Sequence, residues 1–563
     1  MSGRPVIVLK FGGSVLRDED SLRLAVHEIY RWRRDGYGVV PVVSALNGVT
    51  DVLLGRSQRL CERAAPASIA ALASIGELQS AALLGLHLDR AGIPASVLTP
   101  DALRLVARGP SLDAAPLDAC VCSVQRGLHR DGVVVIAGYV AEDADGRAVV
   151  LGRGGSDLTA LFVAHRLSAQ RCRLIKDVEG LYERDPAQAG PPPRRYARAS
   201  WADALATDGS IIQHKAVRFA ASYGIRFELG GLNGCAPTLI GDGSTAFAEP
   251  DRPRRRWRVA LLGLGVVGVG VYEALRRLEP LFEVVSVAVR DVAKLRGIDV
   301  PETLLSNRAE SVVGRDVDLV IEVMGGVEPA GAVVEAALAR GVHVVTANKR
   351  LIAERGERLR SLAASHDCRL LYSAAVGGSV PLLERVRENG AAAVRSIRAV
   401  LNGTTNFVLD RIAEGDTFAE AVSEAQRLGL AEADPSRDLD GRDAGDKLCV
   451  LAGELGLKGV GPERVHREPL TPELIAARRK KVQNGHVLRH VATLRGAGDE
   501  VEADVRLTSL ESTDDLASVH GEHNAAVIER ADGRCDVVRG KGAGRWPTAE
   551  VVIADVLEIV RGA

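Results

Sequence analysis

The sequence predicts an α/β protein built on two open, mainly parallel sheets and followed by a smaller α+β region. Short apolar runs of strand composition end repeatedly in glycine turns that feed helical patterns, as in VIVLKFGG near the start and WRVALLGLG near the middle. Hydrophobic residues make up 46% of the chain and aromatics only 4%, with Ala, Val, Leu and Gly abundant, as expected of soluble α/β enzymes. At 563 residues the chain is too long for one core; about 150 residues per domain suggests three or four domains.

Lys and Arg total 72 against 73 Asp and Glu, so the formal charge is −1 and no global field favours nucleic acid or an anionic membrane. Small anions must therefore be held by local sites. The eight cysteines are scattered, without a CxxC pair or zinc spacing, and read as reduced thiols of a cytoplasmic protein. The first strand begins within a few residues of the N-terminus, leaving no room for a signal peptide, and no apolar run is expected to be long enough to cross a bilayer.

The strand VIVLKF runs into KFGGSVL, with a helical pattern from about Ser21. Gly12 and Gly13 let backbone N–H groups approach an anion, and Lys10 places a charge beside them. The next strand, GVVPVVSALNGVTDVL, carries Ser44 and Thr50 past its end; GELQSAALLG brings Glu77; LGRGGSDLTA brings Arg153, Gly154, Gly155, Ser156 and Asp157 to a helix start. Gly-Gly turns after strands are common, but four polar clusters beside buried strands suit a phosphoryl-transfer site.

These clusters, with KDVEGLYERDP further on, resemble in their order the amino-acid kinase fold, and aspartate kinase in particular, over roughly residues 4–245. The resemblance implies that Lys10, Gly12 and Gly13 hold the transferred phosphoryl of ATP with Mg²⁺. It also implies that Glu77 and Arg153 grip the amino-acid substrate, that Asp157 lies at its amino group, and that Asp177, Tyr182 and Asp185 border the nucleotide. Three departures stand out. Ser14 fills the place of a threonine, Lys176 stands where a threonine precedes the aspartate of the family's TDV motif, and IIQHKAV replaces GAKVLHP. The last segment is more similar to the lysine-bearing motif of N-acetylglutamate and glutamate kinases, which implies that Lys215 stabilises the phosphoryl in flight. The acceptor is accordingly aspartate or another amino acid, or the domain is weakly active or structural.

The run Arg254, Arg255, Arg256 and Arg258 reads as a basic linker leading into a strand. Aspartate kinases of this kind carry tandem ACT effector domains; none is expected in this chain. In the next unit GLGVVG follows a buried strand and opens a helix, the dinucleotide-binding arrangement of a Rossmann domain. Gly263 permits the turn, Gly265 admits the pyrophosphate, Gly268 lets the helix pack on its strand, and Val266 and Val267 line the same turn. The second strand ends at Arg290 with Lys294 nearby; cations there suit a 2′-phosphate, favouring NADP without excluding NAD. Lys349 emerges just beyond a strand end.

The stretch LAEADPSRDLDGRDAGDKL, residues 430–448, packs carboxylates into turn composition and then opens a helical pattern. Asp443 and Lys447 fall one turn apart on one face. Alone, that spacing also describes an exposed surface ion pair. GLGVVG, VIEVMGG, TANK, AAVGGSVP, LNGTTN, this stretch and GKGAGR together resemble homoserine dehydrogenase over about residues 256–560.

The resemblance implies reversible hydride transfer between NAD(P)H and L-aspartate 4-semialdehyde, giving L-homoserine. It places Lys349 and Lys447 beside the reacting carbonyl and gives Asp443 the orienting role. Glu432 and Asp438 hold the substrate with Gly403 and Thr404 nearby, and Gly544 belongs to the cofactor side. Either lysine can serve as proton donor, and a partly desolvated lysine is expected to have a lowered pKa, although its acidic neighbours oppose that. The family's glutamate before the VGG loop, which assists a monovalent cation, is Ser373 here; any such ion would rest on carbonyls near Val376, Gly378 and Val380.

The expected domains are a kinase domain at 1–247, a linker at 248–256, a Rossmann domain at 257–385, a catalytic and dimerisation domain at 386–535, and a C-terminal segment at 536–563 returning to the cofactor domain. A homodimer or homotetramer is expected. The two activities are one reading; the dehydrogenase alone, with the first unit as an assembly scaffold, is the other.

Overall fold

The computed structural model describes residues 4–562 apart from 187, 189, 233, 235, 250–254, 315, 481–484 and 498–499. The chain divides into two compact units, residues 1–90 with 94–253, and residues 91–93 with 254–563. Much of the expected linker, including Arg254, lies outside the described residues. Arg255, Arg256 and Arg258 pair with Asp318, Glu279 and Glu283, as a solvated basic run does.

The first unit is organised on a nine-stranded sheet whose centre is Arg171–Lys176, Val6–Phe11 and Gly38–Val43, all parallel. Pro41 lies inside the last of these. It has no N–H to donate, and pairing toward Val134–Ala137 is found at Val39 and from Val42 onward, on either side of the proline. Antiparallel strands close the far edge, and a separate four-stranded sheet includes Val106–Arg108 and Val140–Glu142. Asp18 and Ser21 form a capping box that starts the helix Glu19–Arg34, two residues before the expected position.

One expectation needs correction. The helix Pro66–Arg90 is long and apolar enough by length and composition to cross a membrane. Its buried residues include Ala73, Ala81, Leu84 and the ionisable Glu77, so it serves as a core helix that carries a carboxylate into a cleft.

In the second unit six parallel strands run in the order third, second, first, fourth, fifth, sixth, the doubly wound arrangement. Strand one, Trp257–Leu262, is followed by the helix Val266–Arg277. The C-terminal helix Arg545–Gly562 packs on that helix, where a Cβ on Gly270 would lie 3.0 Å from Ala549 Cβ. A second six-stranded sheet, antiparallel but for one edge pair, is centred on Val394–Val400 and contains the long hairpin strands His486–Ala497 and Glu500–Glu511. One continuous apolar core includes Val320 and Val344 of the first sheet, Ala492 and Ile528 of the second, and Leu448 of the helix Arg442–Glu454.

Candidate functional site

In the second unit a cleft of about 770 Å³ opens between the Rossmann sheet and the antiparallel domain. Gly263 adopts φ +101°, and a Cβ there would lie 2.9 Å from the Val323 backbone; on Gly268 it would lie 2.2 Å from the Gly263 carbonyl. Gly265 faces open space. The turn is thus closed on the protein side at two glycines and open toward a ligand at the third, beside the N-terminus of the helix Val266–Arg277. Val267 and Gly544 line the cleft, and Val266 is exposed. Arg290 and Lys294 are exposed past the second strand and have no side-chain partner among the described residues.

Below this turn, the fully buried Glu322 accepts N–H groups from Met324 at 2.8 Å and Gly325 at 3.2 Å, and Thr346 Oγ1 donates to it at 2.5 Å. Burial pushes its carboxyl up. Asn348 caps the helix Lys349–Ser365 and donates to the Gly326 carbonyl. Together these groups fix the loop at the strand ends and aim the first helical residue, Lys349, across the cleft.

Lys349 Nζ lies 2.5 Å from Asp443 Oδ1, and Lys447 Nζ lies 2.7 Å from Asp443 Oδ2. Lys447 also donates to the Leu401 carbonyl at 2.5 Å. Asn402 caps the helix Gly403–Glu414, while its amide nitrogen donates to Asp438 at 2.8 Å and to Asp443 at 3.0 Å. Burial pushes the Asp443 carboxyl up, but the charges of Lys447 and Lys349 outweigh it and hold the group far below the usual range. The charge of Asp443 raises the pKa of Lys349, outweighing burial. This corrects the expected lowering, since a carboxylate at 2.5 Å wins over partial desolvation. Burial, with the Asp443 charge beside it, raises Asp438.

Two ammonium groups thus face a nucleotide turn as donors for an oxygen that gains negative charge, with the Asp438 carboxyl beside them. Glu432 lines the same cleft, and Thr404 donates to the Leu430 carbonyl at 2.8 Å. Asp434 and Asp440 accept from the backbone N–H groups of Ser436 and Arg442 and shape the loop.

Several contacts surround the residues expected near a monovalent cation. The Val380 carbonyl accepts from Leu382 at 2.7 Å, and Gly378 is pressed against the backbone of Lys541 and Gly542. Arg387, paired with Glu454, brings a guanidinium to 3.5 Å from Ser373 Oγ.

In the first unit a cleft of about 740 Å³ is lined by Lys10, Ser44, Thr50, Glu77, Arg153 and Asp157, among others. Gly154, at φ +72°, caps the helix that carries Gly155, Ser156 and Asp157 in its first turn. Asp157 is clamped from both sides: Lys10 Nζ is 2.7 Å from Oδ1, and Lys176 Nζ is 2.7 Å from Oδ2. Burial would raise Asp157, yet the two lysines bring it to about 2. Burial lowers Lys10 to about 8, with Lys176 adding to the effect and Asp157 opposing it. Burial lifts Glu77 to about 7, and one of its carboxyl oxygens is buried with no hydrogen-bond partner.

Residues 5–228 match the model of the amino acid kinase family, 263–373 that of the homoserine dehydrogenase NAD binding domain, and 381–557 that of homoserine dehydrogenase. The homoserine dehydrogenase of Synechocystis sp. is 38% identical over 321 residues, covering 54% of this chain and 73% of the relative. The chain belongs to the homoserine dehydrogenase family. The enzyme of the same description from Corynebacterium glutamicum is 36% identical over 319 residues, covering 54% of this chain and 72% of the relative. The crystal structure of a homoserine dehydrogenase from Thiobacillus denitrificans aligns with a TM-score of 0.50 at 33% identity, covering 55% of this chain and 74% of that one. The chain is therefore a homoserine dehydrogenase fused behind an amino acid kinase domain.

Of the residues expected at the dehydrogenase centre, the structure brings together Lys349, Lys447, Asp443 and Asp438, with Glu432, Gly403 and Thr404 on the same cleft. Asn402, which ties the two aspartates together, received no role from the sequence. Its position just before a helix start was the available signal.

In the kinase domain Lys215 is not among the residues that line the cleft of Lys10. Its ammonium is held by Asp113 at 2.6 Å and by the Ala114 and Leu151 carbonyls. Lys176 takes the place at Asp157 instead, because the strand Arg171–Lys176 lies directly beside Val6–Phe11. Asp177 accepts from Ser14 Oγ at 2.9 Å, tying it to the glycine turn; Tyr182 bridges to Arg195, and neither Tyr182 nor Asp185 lines the cleft of Lys10.

Proposed function

We propose that the protein carries out two reactions of the aspartate pathway: NADPH-dependent reduction of L-aspartate 4-semialdehyde to L-homoserine, and ATP-dependent phosphorylation of L-aspartate. The observation that carries the first is the Lys349–Asp443–Lys447 bridge facing the glycine turn. The bound nicotinamide supplies hydride to the aldehyde carbon. Asp443 fixes both ammonium groups; Lys447, with two acceptors engaged, keeps one N–H for the forming alkoxide, and Lys349, 37% exposed, keeps two. Glu432 and Asp438 receive the substrate's α-ammonium. Arg290 and Lys294, without acidic partners among the described residues, favour NADP over NAD.

For the kinase, the support is the Lys10–Asp157–Lys176 clamp beside Gly12 and Gly13, with Glu77 and Arg153 across the cleft. Asp157 is ion-paired with both lysines, whereas one oxygen of Glu77 has no hydrogen-bond partner among the described residues and suits the α-ammonium, with Arg153 for the carboxylates. Mg²⁺ would travel with ATP and neutralise charge on its phosphates.

Trapping acyl phosphate with hydroxylamine, in parallel with NADPH oxidation by the semialdehyde, tests the proposal. Robust oxidation with no aspartate-dependent hydroxamate would leave the dehydrogenase alone.

A further inference from the structure

Lys176, 14% exposed, is a second cation at the foot of the kinase cleft beside the buried Lys10, and Asp157 needs only one. Two lysines and one carboxylate leave a surplus positive charge where the central strands Val6–Phe11 and Arg171–Lys176 end side by side. Their ammonium groups meet opposite oxygens of one carboxylate, which sets them apart in a fixed geometry. The glycine turn lies against both side chains: a Cβ on Gly12 would stand 3.3 Å from Lys10 Nζ and 3.8 Å from Lys176 Cδ. Ser14, bonded to Asp177, anchors this turn to the residue that follows Lys176. The surplus charge, the paired donors and the bare backbone together describe a receptor for an anion with several oxygens.

We propose that Lys176 acts with Lys10 as a two-lysine clamp on the phosphoryl group during transfer, with Asp157 as the positioning residue that holds the lysines apart. The inference rests on the kinase reading. In the step, an oxygen of the acceptor carboxylate forms a bond to the γ-phosphorus. The bond from that phosphorus to the bridging oxygen breaks, its electron pair leaves with ADP, and no proton moves. Charge on the equatorial phosphoryl oxygens is met by one ammonium on each side. Asp157, already satisfied by both lysines, neither accepts a proton nor competes for the phosphoryl.

The full-length chain with Lys176→Ala tests this, with Lys176→Arg as the conservative partner. Hydroxamate formation should lose about 100-fold in kcat, while the KM for aspartate stays within about threefold. Inhibition by ADP with Mg²⁺ and aluminium fluoride, which mimics the phosphoryl in flight, should be lost in parallel, and Lys176→Arg should restore part of both. Far-UV circular dichroism and an unchanged thermal transition of the first unit report that the variants are folded. A Lys176→Ala protein that retains full rate, or that loses rate but keeps its aluminium fluoride inhibition, would show that Lys176 only balances Asp157. If the unaltered protein phosphorylates no acidic amino acid, the kinase reading fails separately. Equilibrium binding of ATP then decides on Lys176: a loss of about tenfold in the Ala variant sustains the phosphate contact, and equal affinity overturns it.

Discussion

Lys349 and Asp443 meet at 2.5 Å across the cleft between the Rossmann sheet and the antiparallel domain, one at the N-terminus of each of two helices. The contact closes a chain of charge that continues through Asp443 to Lys447. It makes the two faces of the dehydrogenase cleft interdependent.

Replacing Lys447 by Met removes an alkoxide-facing donor and should lower kcat for semialdehyde reduction by about 100-fold or more, with NADPH binding unchanged. Stopped-flow NADPH oxidation measures it. A rate within threefold of the parent would transfer the role to Lys349.

Asp443→Asn removes the charge between two cations. Lys447 is only 8% exposed, so its ammonium is left without a counter-charge, at a cost of about 3 kcal/mol. Lys349 reaches solvent and adds little. Chemical denaturation should show that loss in the second unit's transition, and an unchanged midpoint would mean that the bridge contributes nothing net.

For the kinase, Glu77 must be ionised to hold an ammonium, and burial sets its pKa at about 7. Lys10 must be protonated to grip phosphate, and burial sets it at about 8. Carboxylate function is gained as pH rises through the first value, and ammonium function is lost as pH rises through the second. Thus kcat/KM should be bell-shaped with a narrow top between them. Glu77→Gln should abolish the acid limb; a profile flat from about pH 6 to 9 would contradict both assignments.

Gly268→Ala forces a methyl to within 2.2 Å of the Gly263 carbonyl, a backbone atom that cannot step aside. The expected cost is about 1–3 kcal/mol, with NADPH affinity falling at least about tenfold in a fluorescence titration. Normal cofactor affinity would show that the helix can shift.

The double variant Arg290→Ala, Lys294→Ala should reduce kcat/KM for NADPH by about tenfold while leaving NADH nearly unaffected. Equal losses with both cofactors would place the 2′-phosphate elsewhere.

Local geometry made much of this protein legible in its residues. A strand, a glycine turn and a helix start are decided by backbone conformations within a few positions, so KFGG, GRGGSD and GLGVVG could be placed on their elements without a structure. The pairing of Asp443 with Lys447 is likewise local, one helical turn on one face. That it is buried and continued by Lys349 is not local, because it depends on one domain's helix start reaching the other's. Asn402 escaped notice because its capping position announced only a local role, whereas its amide also bridges two aspartates far along the chain. Lys176 and Lys215 show the boundary most clearly. Sequence resemblance assigned the phosphoryl role to Lys215 and none to Lys176; the order of strands puts Lys176 next to Lys10, while a carboxylate and two carbonyls hold Lys215. Short-range sterics wrote the turns and helix starts into the sequence, but which charges share a desolvated space was decided only when distant strands packed together.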